Sequence, residues 1–188
     1  MTAHVPHPVD RRGTRALVLG GARSGKSTFA ESRLPRQGRA VYVATSAANP
    51  EDPEWQERIR AHRQRRPACW DTVETLDLPA VLLDADDAPV LVDCLGVWLT
   101  RVLDEEGAWQ ERPGWREGLA GRVDGLLDAL ARTRRDVTLV SNEVGMGVVP
   151  PSASGRVFRD ELGRLNAAVA AACDEVWMCV AGIPRRWA

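Results

Sequence analysis

The run Gly20-Gly21-Ala22-Arg23-Ser24-Gly25-Lys26-Ser27 fits the pattern G-x-x-x-x-G-K-[ST], whose chemistry is phosphate binding. Gly20 and Gly25 let the backbone curl so that successive N–H groups point inward at phosphate oxygens. A helix that opens at the end of the run adds its partial positive charge. Lys26 then reaches the β- and γ-phosphates of a nucleoside triphosphate, and the Ser27 hydroxyl is placed to ligate Mg²⁺. Lys26 is also the only lysine in the chain; every other Lys/Arg position is Arg. A compact ammonium and a planar guanidinium are not interchangeable, so a lysine kept at this one place points to a need for its chemistry.

The pattern means little outside a strand–turn–helix context. Here Ala16-Leu17-Val18-Leu19 reads as a buried strand and Thr28 to Leu34 as a helix, which disfavours a chance glycine turn. An acidic position downstream supports the loop. Pro89 to Leu95 is an apolar strand closed by Asp93, the Walker B pattern, whose Asp would hold Mg²⁺ directly or through water. Alone that pattern is weak; it gains from the phosphate loop upstream. Ala40 to Ala44 is another buried strand and ends at Thr45-Ser46. Ligands of open α/β sheets bind at such carboxyl ends, though small hydroxyl residues form simple turns equally well.

One histidine lies outside the N-terminal tail. Asp52 as N-cap and Pro53 at the first helical position open a helix over 54–65, which Pro67 stops. Trp55, Ile59 and His62 share one face, and Arg58, Arg60, Arg63, Arg65 and Arg66 surround His62 with positive charge. Like charges favour the neutral imidazole, which can attack phosphorus. From this stretch alone, a surface histidine beside a solvated basic face is the preferred reading. Glu74, in the short extended piece Ala68 to Glu74, is either an acceptor for a base edge or a surface acid. His4 and His7 sit among prolines, and a metal role there is disfavoured by the mobility of chain ends.

These residues need a frame. Apolar runs at Ala16–Leu19, Ala40–Ala44, Pro89–Leu95, Asp136–Ser141 and Glu175–Ala181 alternate with helical patterns, among them Leu76–Leu83, Gly96–Glu105, 113–134 and a helix through Phe158, Leu162, Leu165, Val169 and Ala172. Five strands alternating with helices predict an α/β fold with a mostly parallel central sheet and helices on both faces. Gly182-Ile183-Pro184 reads as the chain leaving the sheet. The loop Asn142 to Pro150 carries glycines, prolines and apolar residues that a solvent loop does not need, and reads as a substrate-facing loop or lid. At 188 residues the expectation is one catalytic domain over 15–188, preceded by a disordered tail over 1–14.

Composition excludes several classes. Charged residues make up 27% and the net charge is −1, which argues against nucleic-acid binding through a broad basic surface. No apolar run is long enough to span a bilayer, and no hydrophobic leader is visible near the N-terminus. Cys69, Cys94, Cys173 and Cys179 show neither C-x-x-C nor zinc spacing, which fits a reducing cytoplasm.

Taken in order, Gly20–Ser27, Val43-Ala44-Thr45-Ser46, Arg58-Ile59 with His62 and Arg66-Pro67, Asn142-Glu143-Val144-Gly145-Met146-Gly147-Val148-Val149-Pro150, and Asp174-Glu175-Val176-Trp177 resemble the bifunctional adenosylcobinamide kinase / adenosylcobinamide-phosphate guanylyltransferase family of cobalamin biosynthesis. The likeness runs from about Ala16 to Ile183. It implies a RecA-like P-loop fold and two reactions: phosphorylation of adenosylcobinamide from ATP or GTP, and transfer of GMP from GTP through a guanylyl-histidine to adenosylcobinamide phosphate, giving adenosyl-GDP-cobinamide. By motif match the histidine is His62, which overrides the plainer reading. The match implies nucleotide contacts from Gly20, Gly21, Ala22, Arg23, Ser24, Gly25, Lys26 and Ser27, from Ala44, Thr45 and Ser46, from Arg63, Gln64, Arg65 and Arg66, and from Glu74 and Asp93. Mg²⁺ would sit on Ser27 and Asp93. The resemblance also implies a homotrimer. Some relatives carry two adjacent histidines where this chain has Ala61-His62, and some carry Glu in place of Asp93.

Two rivals share the phosphate loop. A regulatory GTPase would use Asp93-Cys94-Leu95-Gly96 as a D-x-x-G switch, but a chain with one lysine has no Asn-Lys-x-Asp guanine signature. A simple small-molecule kinase would not need His62.

Overall fold

The computed structural model describes residues 12–46 and 66–188. His4, His7, His62, Arg63, Gln64, Arg65 and the helix expected over 54–65 lie outside the described residues. Seven strands form one sheet in the order β3-β2-β4-β5-β1-β6-β7. They are β1 (Arg15–Gly20), β2 (Ala40–Ala44), β3 (Trp70–Glu74), β4 (Val90–Asp93), β5 (Val137–Asn142), β6 (Glu175–Val180) and β7 (Ile183–Arg186). The first six pair in parallel, and β7 is antiparallel to β6. The described helices are α1 (Lys26–Ser32), α2 (Leu78–Leu82), α3 (Leu95–Glu106), α4 (Trp115–Arg132) and α5 (Ala153–Ala172). Among the described residues, no helix is long and apolar enough to cross a membrane.

The continuous apolar runs of the central strands have a direct cause: successive side chains point to opposite faces, and both faces are covered. Leu17, Val41, Val43, Val90, Val92 and Leu139 pack with Leu99, Leu103, Leu126, Leu130 and Leu162 of the long helices. Their alternates Val18, Ala40, Tyr42, Leu91 and Val140 pack with Ala30 and Leu34, from and just beyond α1. Helices therefore cover both faces of a mostly parallel sheet, as the alternation of runs predicts.

Two expectations are corrected. The count of five strands becomes seven among the described residues. The piece ending at Glu74 pairs in parallel with β2 as an outer strand, and the chain does not leave the sheet after Val180. Ala181 (φ 51°) and Gly182 (φ 79°) both take left-handed conformations, as a two-residue hairpin turn of type I′ requires. Ile183 then pairs with Val180 and Pro184 with Cys179; the proline is tolerated because β7 is an edge strand. The helix expected through Phe158 is present and opens at Ala153, where the Ser152 hydroxyl accepts from the Gly155 N–H at 3.1 Å and caps it.

Arg15 is buried as the first residue of β1. Its backbone N–H, Nε and Nη2 all donate to the Asp174 carboxylate, at 2.8, 3.0 and 2.6 Å. Thr14 is already tied in: its N–H donates to Asp136 and its carbonyl accepts from Val137. The Arg15 guanidinium holds the Asp174 carboxyl down at about 2. A depressed carboxyl stabilises the fold above its unfolded value of 3.8 and loses that contribution as pH falls through about 2. The Asp174 side chain is 44% exposed, so solvent screening reduces its share to about 1 kcal/mol. Acid titration of stability should therefore show a decline between pH 4 and pH 2 that is shallower in Asp174→Asn, which should also be less stable at pH 7.

The β6–β7 hairpin buttresses the loop after β1. The Gly182 N–H donates to the Ser24 carbonyl at 2.9 Å. Gly25 holds φ 88°, and a Cβ there would meet the Gly182 Cα at 3.0 Å. Gly25→Ala should cost roughly 1–2 kcal/mol from the left-handed conformation alone. For a chain of this size that lowers Tm by about 2–8 °C, measurable by calorimetry; an unchanged Tm would contradict the contact.

Candidate functional site: the carboxyl edge of the sheet

The parallel register brings the residues together. Gly20 at the end of β1 stands level with Asn142 of β5, Asp93 of β4 with Ala44 of β2, and Ala44 with Glu74 of β3. The ends of five strands thus share one edge, with β5 between the phosphate-loop strand and the strand that ends in Asp93. Crevices at such edges are where open α/β sheets bind ligands.

The loop from Gly20 to Ser27 leads directly into α1. Gly25 is the N-cap and Lys26 the first helical residue, so the first turn's unpaired N–H groups face the loop. Gly20 is required by close approach: a Cβ there would lie 2.4 Å from the Ser24 Oγ and 2.7 Å from the Cys179 carbonyl oxygen. Arg23 (φ 56°) and Gly25 (φ 88°) turn the chain, while Gly21, Ala22 and Arg23 are exposed on the rim. The Lys26 ammonium donates to the Gly21 carbonyl at 3.2 Å, folded over its own loop. The Ser24 Oγ is buried with no hydrogen-bond partner among the described residues. A helix N-terminus, a lysine and a loop turned by left-handed residues are the parts from which anion cradles are built.

Asp93 is oriented by a neighbour that sequence reading did not single out. The Tyr42 phenol donates to Asp93 Oδ2 at 3.0 Å, and burial, with the adjacent Asp93 charge, raises the phenol far above its ordinary value. Tyr42 therefore stays a donor. The Arg66 guanidinium lies 3.6 Å from the centroid of the Tyr42 ring and donates to the Thr72 hydroxyl at 3.1 Å. Cys94, next in the chain, is pushed up to about 11 by burial and by Asp93, so it remains a thiol.

Thr45 and Ser46 follow β2 at this edge, and Thr45 is not a simple turn residue. Its side chain is fully buried. The hydroxyl donates to the Cys94 carbonyl at 2.8 Å and accepts from the Cys94 N–H at 3.1 Å, closing the β4–α3 junction. The Thr45 carbonyl accepts from Arg101 at 3.2 Å. Glu74 ends β3 exposed, at the far side of the edge. The structure thus gathers Gly20–Ser27, Ala44–Ser46, Arg66, Glu74 and Asp93 along one edge, with Glu74 the most remote from the loop.

Two further residues stand at this edge that patterning did not isolate. The Asn142 carbonyl accepts from the Asn166 side chain at 3.0 Å, and Asn166 Oδ1 accepts from the Ser141 hydroxyl at 2.6 Å. The Glu143 N–H donates to the Gly20 carbonyl at 3.2 Å. Beyond them the loop exposes Met146, Val148 and Val149, at 77, 94 and 59%. A separate cleft of about 550 Å³, lined by Trp109, Arg112, Trp115, Arg116, Ser154 and Val157, contains none of the phosphate-loop residues. Among the described residues no group of three or more His, Cys, Asp or Glu side chains could cage a metal ion.

Residues 16–187 match the family model described as cobinamide kinase / cobinamide phosphate guanyltransferase. The chain is 41% identical over 175 residues to a bifunctional adenosylcobalamin biosynthesis protein, CobU, of Escherichia coli, covering 89% of this chain and 96% of that protein. It is 43% identical over 174 residues to the protein CobP of Pseudomonas aeruginosa, described in the same words, covering 90% and 95%. The CobU protein of Salmonella typhimurium is 39% identical over 175 residues, covering 89% and 96%. A match across nearly the whole domain, with the phosphate loop and Asp93 at one sheet edge, places this chain in the cobinamide kinase / cobinamide phosphate guanyltransferase family.

Proposed function

We propose that the chain phosphorylates adenosylcobinamide from ATP or GTP, and then passes GMP from GTP, by way of a guanylyl-histidine at His62, to adenosylcobinamide phosphate. The observation that carries the reading is the anion cradle of Gly20–Ser27 beside Asp93, in a chain of this family. Phosphoryl transfer asks mainly for positioning and charge neutralisation. The loop amides, the α1 N-terminus and Lys26 supply both. As the acceptor oxygen bonds to the γ-phosphorus, the bridging oxygen leaves with the diphosphate, and the growing negative charge falls where those donors converge.

The residues present suit Mg²⁺. The donors are hard oxygens, one hydroxyl and one carboxylate, which fits an ion that keeps several waters and takes its other ligands from phosphates. Ser27 and Asp93 would hold it, with the Tyr42 hydroxyl fixing one Asp93 oxygen. Bound there, the ion would neutralise charge on the phosphate oxygens.

Nucleotidyl transfer differs because its electrophile is the α-phosphorus and its acceptor arrives later. Storing GMP on an imidazole splits one displacement into two easier ones. Ring nitrogen attacks the α-phosphorus and pyrophosphate leaves; the phosphorylated corrinoid then attacks the phosphoramidate and the imidazole departs. Covalent geometry supports His62 for this task. It lies four positions before Arg66, at most about 14 Å of extended chain, and Arg66 stacks on the tyrosine that holds Asp93. Arg63, Gln64, Arg65 and Arg66 would then meet the triphosphate, and Glu74 the guanine edge. A homotrimer and a cytoplasmic setting belong to the same reading.

Incubation with α-labelled GTP and Mg²⁺, followed by denaturation, should leave acid-labile label on the protein. His62→Ala should abolish it. Label that survives in His62→Ala, or wild-type protein that retains none, would remove the guanylyl-histidine and leave a plain kinase. Lys26→Ala should lower adenosylcobinamide phosphorylation by at least about 100-fold, the scale of losing an electrostatic stabiliser of the transition state; normal turnover would contradict the cradle.

A further inference from the structure

An acceptor hydroxyl must lose its proton as it attacks phosphorus, and a positioned carboxylate is a natural group to take it. Among the described residues, three carboxylates stand at the carboxyl ends of the parallel strands or one residue beyond: Glu74, Asp93 and Glu143. Their distances from the cradle differ in a way the strand order fixes. β3 is four strand spacings from β1, or roughly 19 Å; β4 is two, or roughly 10 Å; β5 is one, or roughly 5 Å. Glu74 is too remote, and Asp93 is held by Tyr42 at a position suited to the metal.

Glu143 is built into the cradle itself. Its backbone N–H donates to the carbonyl of Gly20, the first residue of the phosphate loop, at 3.2 Å. Its side chain is half-buried and its rotation is restricted, because Oε1 accepts from the Gly145 N–H at 2.5 Å. Oε2 makes no hydrogen bond among the described residues. The anchor is local and tight: a Cβ on Gly145 would come within 2.9 Å of Oε1. A carboxylate with one oxygen committed to its own turn and the other unbonded among the described residues, one strand from the loop, is placed as a base is.

We propose that Glu143 is a catalytic residue of the phosphoryl-transfer step. Its carboxylate accepts the proton of the acceptor hydroxyl while the hydroxyl oxygen bonds to the γ-phosphorus. The bond from γ-phosphorus to the bridging oxygen breaks, its electron pair leaving with the nucleoside diphosphate. The proton passes from Glu143 to water after the product departs. The inference rests on the kinase reading above, and adds the group that takes the proton.

Glu143→Gln is the informative substitution, because its amide oxygen can still accept from Gly145 while no oxygen can take a proton. Steady-state phosphorylation of adenosylcobinamide by ATP, and the Kd for ATP, should be measured on the full chain with wild type in parallel. Glu143→Gln should lower kcat by 10²–10⁴-fold, the range for general-base catalysis, with the Kd for ATP within about twofold; Glu143→Asp should fall between the two. A Glu143→Gln kcat within about threefold of wild type would overturn the proposal. So would a parallel loss of ATP binding, which would mean that Glu143 only shapes the loop. A wild-type chain that binds ATP but phosphorylates no adenosylcobinamide would instead overturn the kinase reading, and the base with it.

Discussion

β5 lies between β1 and β4, hydrogen-bonded to both, and the rest of the site depends on that insertion. Parallel strands end on the same edge, so whatever follows each one is delivered to a common place. With β5 interposed, the phosphate loop after β1 and the carboxylate closing β4 stand about two strand spacings, or roughly 10 Å, apart. That gap suits an anionic ligand flanked by a cationic cradle and an acidic position. Directly paired strands would halve it and bring Asp93 against the loop amides. The spacer is not inert, since its own end supplies Asn142 and Glu143, and the Glu143 amide ties it to Gly20. The apolar faces of the three strands fix the register: Val18, Val140 and Leu91 pack on one side, and Leu17, Leu139, Val90 and Val92 on the other. A slip of one residue would turn every one of these side chains to the opposite face.

The central strands were legible in the sequence because burial on both faces writes itself as an unbroken apolar run. The two outermost strands carry no such mark. β3 exposes Asp71, Thr72, Val73 and Glu74, and β7 contains proline and two arginines. They are strands because a neighbour offers an open ladder, which is a property of the assembled sheet. Helix ends followed local chemistry more faithfully: Asp77 caps α2, accepting from the Ala80 N–H at 3.1 Å, and Gly107 closes α3 at φ 74°.

The candidate site divides along the same line. The phosphate loop could be read because its function depends on backbone curl and a helix start, both local. The clasp that Thr45 makes could not, because its partner is Cys94, 49 residues on. Arg15 carries no sign in the sequence of its partner, Asp174, which lies 159 residues away. Tyr42 looks like one more apolar residue of a buried strand; only the neighbouring strand shows that its hydroxyl meets Asp93. Glu143 was masked by the glycines and valines around it, whose pattern suggests a lid rather than an acid. In each case the missing information is a contact across the sheet, for which spacing along the chain has no signature.

On the proposed reading two chemistries share one cradle, and the anchors at either end of the segment between Ser46 and Arg66 bear on how. Before it, the buried Thr45 hydroxyl clasps Cys94 and the Thr45 carbonyl takes a bond from Arg101. After it, Arg66 is stacked on Tyr42 and bonded to Thr72. Both anchors rest on the β2, β3 and β4 end of the edge, while the phosphate loop and Glu143 occupy the β1 and β5 end. A triphosphate lying across the edge has its γ-phosphorus and α-phosphorus two bridging oxygens apart. The proposed base, Glu143, stands at the end of the edge nearer the loop, and Arg66, which follows the segment carrying the proposed nucleophile, is anchored at the other. On the proposed reading the two reactions draw on opposite ends of the edge, and the strand order sets those ends apart before either substrate binds.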